Sequence, residues 1–267
     1  MDAPIGIFDS GLGGLIVLRY LQASFPGESF IYLGDTARIP YGNKSAPTIA
    51  KYTERNIHFL KAREVKAVIV ACNSASSVLS QVDTSDFGAL PVYNVIEPGA
   101  AKAAAMTANK KVGVIATRAT VDQKAYVGEL HKINSEIVIT QQAAPLLVPL
   151  VEEGWDDDPI TNLVVYRYVN PLVATGIDTL VLGCTHYPFL KKAIQKVTGP
   201  NIHLIDSAET MAEKLSQDFN AGKLQRSHRT TGGGLQILAT DTNSTFEKLA
   251  RRLIGETSFR EIEHVEI

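Results

Sequence analysis

The sequence predicts an α/β fold built from two similar halves. Apolar runs rich in β-branched residues alternate with helix-like segments along the whole chain. The runs are continuous rather than alternating, which is the pattern of strands covered on both faces, hence of mostly parallel sheets flanked by helices. The same pattern then occurs twice.

In order, strands are expected over 5–8, 30–33, 67–71, 92–96, 112–115, 137–140, 179–182, 202–205 and 235–239, then a helix over 243–253 and a last strand over 260–265. The repeat is read from three elements. NIHFLKAREVKAVIVAC, ending at Cys72, aligns without a gap on YVNPLVATGIDTLVLGC, ending at Cys184, with Leu60 on Leu172, Ala62 on Ala174 and Val65 on Ile177. IGIFDSG matches VGVIATR, and PVYNVIE matches NIHLIDS, in the same order. The first domain is therefore set at 1–97 and the second at 98–208, pseudosymmetric, with 209–267 packing back on the first. Both cysteines then follow the carboxyl end of equivalent strands, where open α/β sheets bind ligands, in the cleft between the domains.

Composition narrows the function. With 267 residues, 45% hydrophobic and 20% charged, the chain can bury a core in each half. Its apolar stretches fall far short of the roughly 20 residues that span a bilayer, so no membrane role is expected. Gly6 and Asp9 interrupt any signal-like start, which suggests a cytoplasmic protein. The net charge of -2, with scattered Lys and Arg, offers no face for nucleic acid. Two cysteines make neither a disulfide framework nor a four-cysteine metal site, and Cys184 with His186 lacks zinc-site spacing.

The candidate chemistry gathers at the strand ends. Cys72-Asn73-Ser74 and Cys184-Thr185-His186 each read as a thiol at the start of a helix, where free N–H groups lower a thiol pKa and hold a carboxylate. Either cysteine alone could equally be a small core residue; the matched contexts favour function. Asp9 and Ser10 sit in GIFDSGLGG, whose glycines permit positive φ or close approach but lack dinucleotide spacing or a Walker lysine, and Asp9 could also be a plain N-cap. Asp35 follows the second strand, and Pro40-Tyr41-Gly42 reads as a binding loop, although turn chemistry alone explains the Pro and Gly. Glu152 and Glu153 could be a solvated helix end. His186 could orient or exchange protons with a thiol.

Taken in order, GIFDSGLGG, YLGDTARIPYG, ACNSAS, VIEPGA, VGVIATRAT, LVPLVEEG and LGCTHYP resemble the glutamate racemases over about residues 5–210. The resemblance implies interconversion of L- and D-glutamate with no cofactor and no metal, D-glutamate for peptidoglycan, and a homodimer. It implies that Cys72 deprotonates D-glutamate and Cys184 L-glutamate, that Asp9, Ser10, Pro40, Tyr41, Gly42, Asn73, Ser74, Thr117, Thr185 and His186 bind substrate, and that Asp9, Glu152 and His186 tune the thiols. Ser74 stands where the family usually has threonine, keeping the hydroxyl and losing a methyl. Rival readings are a racemase for aspartate or another amino acid, a cysteine amidohydrolase using Cys184 and His186, and a binding protein without turnover.

Overall fold

Every strand pairing in the computed structural model is parallel, among the described residues 3–242, 244–255 and 259–267. The chain begins with β1 (Ile5–Asp9), α1 (Gly14–Ser24), β2 (Phe30–Gly34), α2 (Ala46–Lys61), β3 (Ala67–Val70), α3 (Asn73–Ser76), β4 (Val92–Asn94) and α4 (Ile96–Met106). It continues through β5 (Lys111–Ala116), α5 (Arg118–Asp122), α6 (Ala125–Ile133), β6 (Val138–Ala143), α7 (Leu147–Glu152), α8 (Pro159–Val173), β7 (Thr179–Gly183), α9 (Lys191–Thr198), β8 (His203–Asp206) and α10 (Ser207–Asn220). It closes with β9 (Leu235–Ala239), α11 (Ser244–Ile254) and β10 (Ile262–His264).

The strands form two sheets, one ordered β10-β9-β2-β1-β3-β4 and the other β6-β5-β7-β8. Set β9 and β10 aside and the two orders are the same, with the cysteine following the third strand of each. Side chains alternate across each sheet, so each face meets its own helices. Ile7 and Ile69 pack with Leu15 and Leu18 of α1 and Met211 and Leu215 of α10. Phe8, Val68 and Val70 pack instead with Ile49, Ile57 and Leu60 of α2. In the second sheet Leu180 and Leu182 face Val165, Val169 and Leu172 of α8, while Val112, Val114 and Val181 face Ala100 of α4 and Tyr126 and Leu130 of α6.

Register tests the repeat residue by residue. Ile5 lies opposite Ala67, and Val112 opposite Thr179, as the alignment of the halves requires. Gly6 and Gly113 are likewise equivalent: a Cβ on Gly6 would lie 3.2 Å from Val65, and one on Gly113 2.6 Å from the matching Ile177. The third element is shifted. Val68 pairs with Val92 but Leu180 pairs with Leu204, so Val92 corresponds to Leu204 and not to Ile202. A slip of two residues keeps every side chain on its face, so the apolar pattern alone does not detect it.

The expected strand over 92–96 stops at Asn94, whose Oδ1 accepts the N–H groups of Ile96 at 3.0 Å and Glu97 at 2.9 Å and so starts α4. The final helix begins at Ser244; position 243, its expected start, lies outside the described residues. The chain after α10 is bound into the first sheet by more than β9 and β10. Ser227 N–H donates to Glu28 at 2.6 Å, and a Cβ on Gly27 would lie 1.9 Å from the Arg229 carbonyl oxygen, one on Gly233 1.8 Å from that of Glu28. These neighbours are backbone and cannot swing aside. Gly27→Ala and Gly233→Ala are each expected to cost about 1–3 kcal/mol, read as a lower urea midpoint; an unchanged midpoint would show that the tail is not closely seated.

Candidate active site

Both cysteines open into one cavity of about 450 Å³ between the two sheets. Its wall takes Ser10 after β1, Pro40, Tyr41 and Gly42 after β2, and Cys72, Asn73 and Ser74 after β3. From the other half come Thr117 after β5, Glu152 at the end of α7, and Cys184, Thr185 and His186 after β7. Asp9 is the one expected substrate-binding residue that does not line the wall. It is wholly buried beneath it, accepting from Gly11 N–H at 2.9 Å and from the Thr185 hydroxyl at 3.4 Å.

The glycine turn works by clearance. None of Gly11, Gly13 and Gly14 takes positive φ, contrary to one reading of the sequence. A Cβ on Gly13 would stand 2.1 Å from Thr185 Oγ1 and 2.8 Å from His186 Nδ1, and one on Gly14 2.5 Å from Asp9 Cβ. The turn thus lets the second cysteine loop close onto the first sheet. Gly42 does the same on the opposite wall, where a Cβ would fall 2.8 Å from Thr117 Cβ.

The two thiols have unlike surroundings. Cys72 heads a helix of a single turn, and its thiol is not lowered on balance as the sequence suggested. Burial and the nearby charge of Asp9 push its thiol up to about 12, against the opposing hydrogen bonds of Ser10 and Ala75. The thiol lies 3.5 Å from Ser10 Oγ. Cys184 runs into a 3-10 turn, Tyr187–Leu190, before α9 begins, and its sulfur lies 3.7 Å from His186 Nδ1. Burial disfavours the charged imidazole, but Cys184 and Glu152 outweigh it and hold His186 up to about 10. Nε2 is 3.3 Å from Glu152 Oε1, and that carboxylate favours the imidazolium both as a hydrogen-bond acceptor and by its charge. Asp9 is itself raised, by burial first, with the His186 charge and the Gly11 hydrogen bond opposing.

Several polar groups are already partnered. Ser74 and Thr117 share a hydroxyl contact across the cleft at 2.9 Å, and Thr117 meets Thr120 at 3.1 Å. The Tyr41 hydroxyl is turned into a buried network, donating to Asp35 and accepting from Asn56 at 3.0 Å. Tyr41 therefore contributes ring and backbone to the wall, not a free hydroxyl. Asp35 serves this network, joined also by Arg38 at 2.9 Å and Thr240 at 3.0 Å. Sequence reading missed, among others, Ile39, Arg118, Leu146 and Pro149, which also line the cavity; the two prolines of APLLVPLVEEG were a usable signal for the last two.

The Asp/Glu/hydantoin racemase family model matches residues 16–215. The chain belongs to that family. A glutamate racemase of Syntrophus aciditrophicus is 45% identical over 258 residues, covering 95% of this chain and 93% of the relative. One from Neisseria meningitidis serogroup A is 44% identical over 254 residues, covering 95% and 93%. The solved glutamate racemase of Francisella tularensis, in complex with D-glutamate, superposes with a TM-score of 0.90 at 35% identity, covering 99% of this chain and 98% of that one. In this racemase-family chain the Glu152 charge is one of the supports of the imidazolium. Glu152→Gln is therefore expected to lower the His186 pKa from about 10 by about a unit or more, followed by NMR titration of the imidazole; an unmoved pKa would remove Glu152 from the site's electrostatics.

Proposed function

We propose that this chain is a glutamate racemase that moves the α-proton between two thiols, Cys72 and Cys184, with no cofactor. The observation that carries the reading is the pair of cysteines on opposite sides of one cavity, in a chain 45% identical to a glutamate racemase.

In the L-to-D direction the Cys184 thiolate takes the α-proton. The C–H bond breaks, an S–H bond forms, and the electron pair passes into the α-carboxylate as an enediolate. Cys72, kept as a thiol by its high pKa, gives its proton to the opposite face. In the D-to-L direction the roles exchange. His186, charged at neutral pH, stabilises the Cys184 thiolate by donating through Nδ1, and Glu152 holds that charge. Asp9 beneath the wall disfavours charge on Cys72. Asn73 and Ser74 through their side chains, and Thr185 through its backbone N–H, donate to the carboxylate as negative charge develops. Tyr41, Gly42 and Pro40 close the other side of the substrate, with Ser10 and Thr117 beside it. Because the enantiomers are equal in free energy, kcat/KM is the same in both directions whatever the difference between the thiols.

The product is D-glutamate for peptidoglycan synthesis, made in the cytoplasm, a reducing compartment that keeps both thiols free. The chain works as a homodimer; the exposed Ile160, Leu163 and Tyr166 on α8, with Trp155, supply apolar surface for pairing.

Circular dichroism of the protein with L-glutamate and then D-glutamate is expected to decay to zero from both sides, and Cys72→Ser and Cys184→Ser each to abolish the decay. Full racemisation by either variant would overturn the two-thiol mechanism. The Cys184–His186 contact also suits an amidohydrolase nucleophile, which would instead release ammonia from glutamine and tolerate Cys72→Ser. Gly13→Ala is expected to leave the fold intact and cut activity by more than about 100-fold, because its methyl would displace Thr185 and His186; near-native activity would contradict the close seating of that loop.

A further inference from the structure

Tyr126, on α6, is wholly buried and does not line the cavity, yet it touches both cysteine loops. Its hydroxyl lies 2.8 Å from Asn73 Oδ1, on the residue after Cys72. Its ring lies against the residue before Cys184: a Cβ on Gly183 would stand 3.0 Å from Tyr126 Cε2. The contact with Asn73 crosses from the second sheet's helices to the first sheet's loop. Ser207, the first residue of α10, completes the arrangement, with Asn73 Nδ2 donating to its hydroxyl at 3.2 Å.

We propose that Tyr126 is a positioning residue that anchors the Asn73 side chain and sets the separation of the two cysteine loops. The amide is tied at both ends to buried hydroxyls, which fixes where the side chain stands against the cavity. Tyr126 donates to Oδ1, and Ser207 accepts one of the two N–H bonds of Nδ2. The second N–H is left for the cavity, which Asn73 lines. Buried Tyr hydroxyls need a partner, so the bond also costs the tyrosine something to break. Gly183 leaves room for the ring: any side chain there would press on it and on Ala116, whose Cβ would be 3.0 Å away. One rigid side chain thus spans from the loop of one thiol to the loop of the other.

The proposal rests on the racemase reading, and the two fail separately: a wild-type protein that does not racemise glutamate overturns the first, whereas variants decide the second. The experiment measures kcat and KM in both directions for Tyr126→Phe, Asn73→Ala and the double variant, with melting temperatures. Tyr126→Phe is expected to keep the fold and lose about tenfold in kcat/KM. In the Asn73→Ala background the same change is expected to cost less than about twofold, since no amide remains to anchor. Where Asn73→Ala is too slow for dichroism, α-proton exchange in D₂O followed by NMR supplies the rate. Ser207→Ala removes the other anchor and serves if Tyr126→Phe does not fold; its loss is also expected to vanish without Asn73. Wild-type kcat/KM in Tyr126→Phe, or an equal loss in both backgrounds, would overturn the proposal, because a purely structural role does not depend on Asn73.

Discussion

The structure is organised by the need to hold two thiols on opposite sides of one cavity. A parallel strand delivers its carboxyl end to the same edge of the sheet as its neighbours, so a loop after the third strand always emerges beside the loops after the first and second. In the first half that edge collects Asp9, Ser10, Tyr41 and Cys72; in the second it collects Thr117 and Cys184. Two sheets of the same order, facing each other by these edges, make a two-sided site with little further invention. The glycines at 13 and 42 then allow the edges to close on each other.

Symmetry of position is accompanied by asymmetry of charge. The two-thiol reaction proposed above needs one thiol ionised and the other protonated at the start of each turnover, and a perfectly symmetric site would give neither preference. Here a buried carboxylate, Asp9, works against ionisation of Cys72, while an imidazolium held by Glu152 faces Cys184. Burial amplifies both effects, since the same charges exposed to water would be largely screened. Burial also explains why the hydroxyls of Ser74, Thr117 and Thr185 are partnered within the protein, across the cleft, where substrate groups would otherwise be needed to satisfy them.

Much of this was legible from residue order. The strand cores, the repeat and both cysteine loops follow from apolar runs and from the polar residues after them. What escaped has physical reasons. The two-residue slip between β4 and β8 preserves side-chain facing, and Asn94 ends its strand by a side-chain bond that periodicity does not register. The polar residues after the cysteines read as good helix caps, but α3 is one turn long and Cys184 enters a 3-10 turn, and at Cys72 burial and the neighbouring Asp9 outweigh the hydrogen bonds that favour the thiolate. Tyr41 reads as a binding-loop residue because it has no evident turn role; that its hydroxyl is spent on Asp35 is decided by tertiary packing. Tyr126 and Ser207 look like ordinary residues of an amphipathic helix and a helix start, and only the meeting of the two halves brings them to Asn73.

The central claim, that the proton removed from one face is not the one returned to the other, is tested most directly by racemising protiated L-glutamate in D₂O and measuring both enantiomers at early times. Two thiols require that the first D-glutamate formed carries deuterium at Cα while the remaining L-glutamate stays protiated. First-formed D-glutamate that retains the substrate's own proton would contradict the account, because it would mean a single base serving both faces.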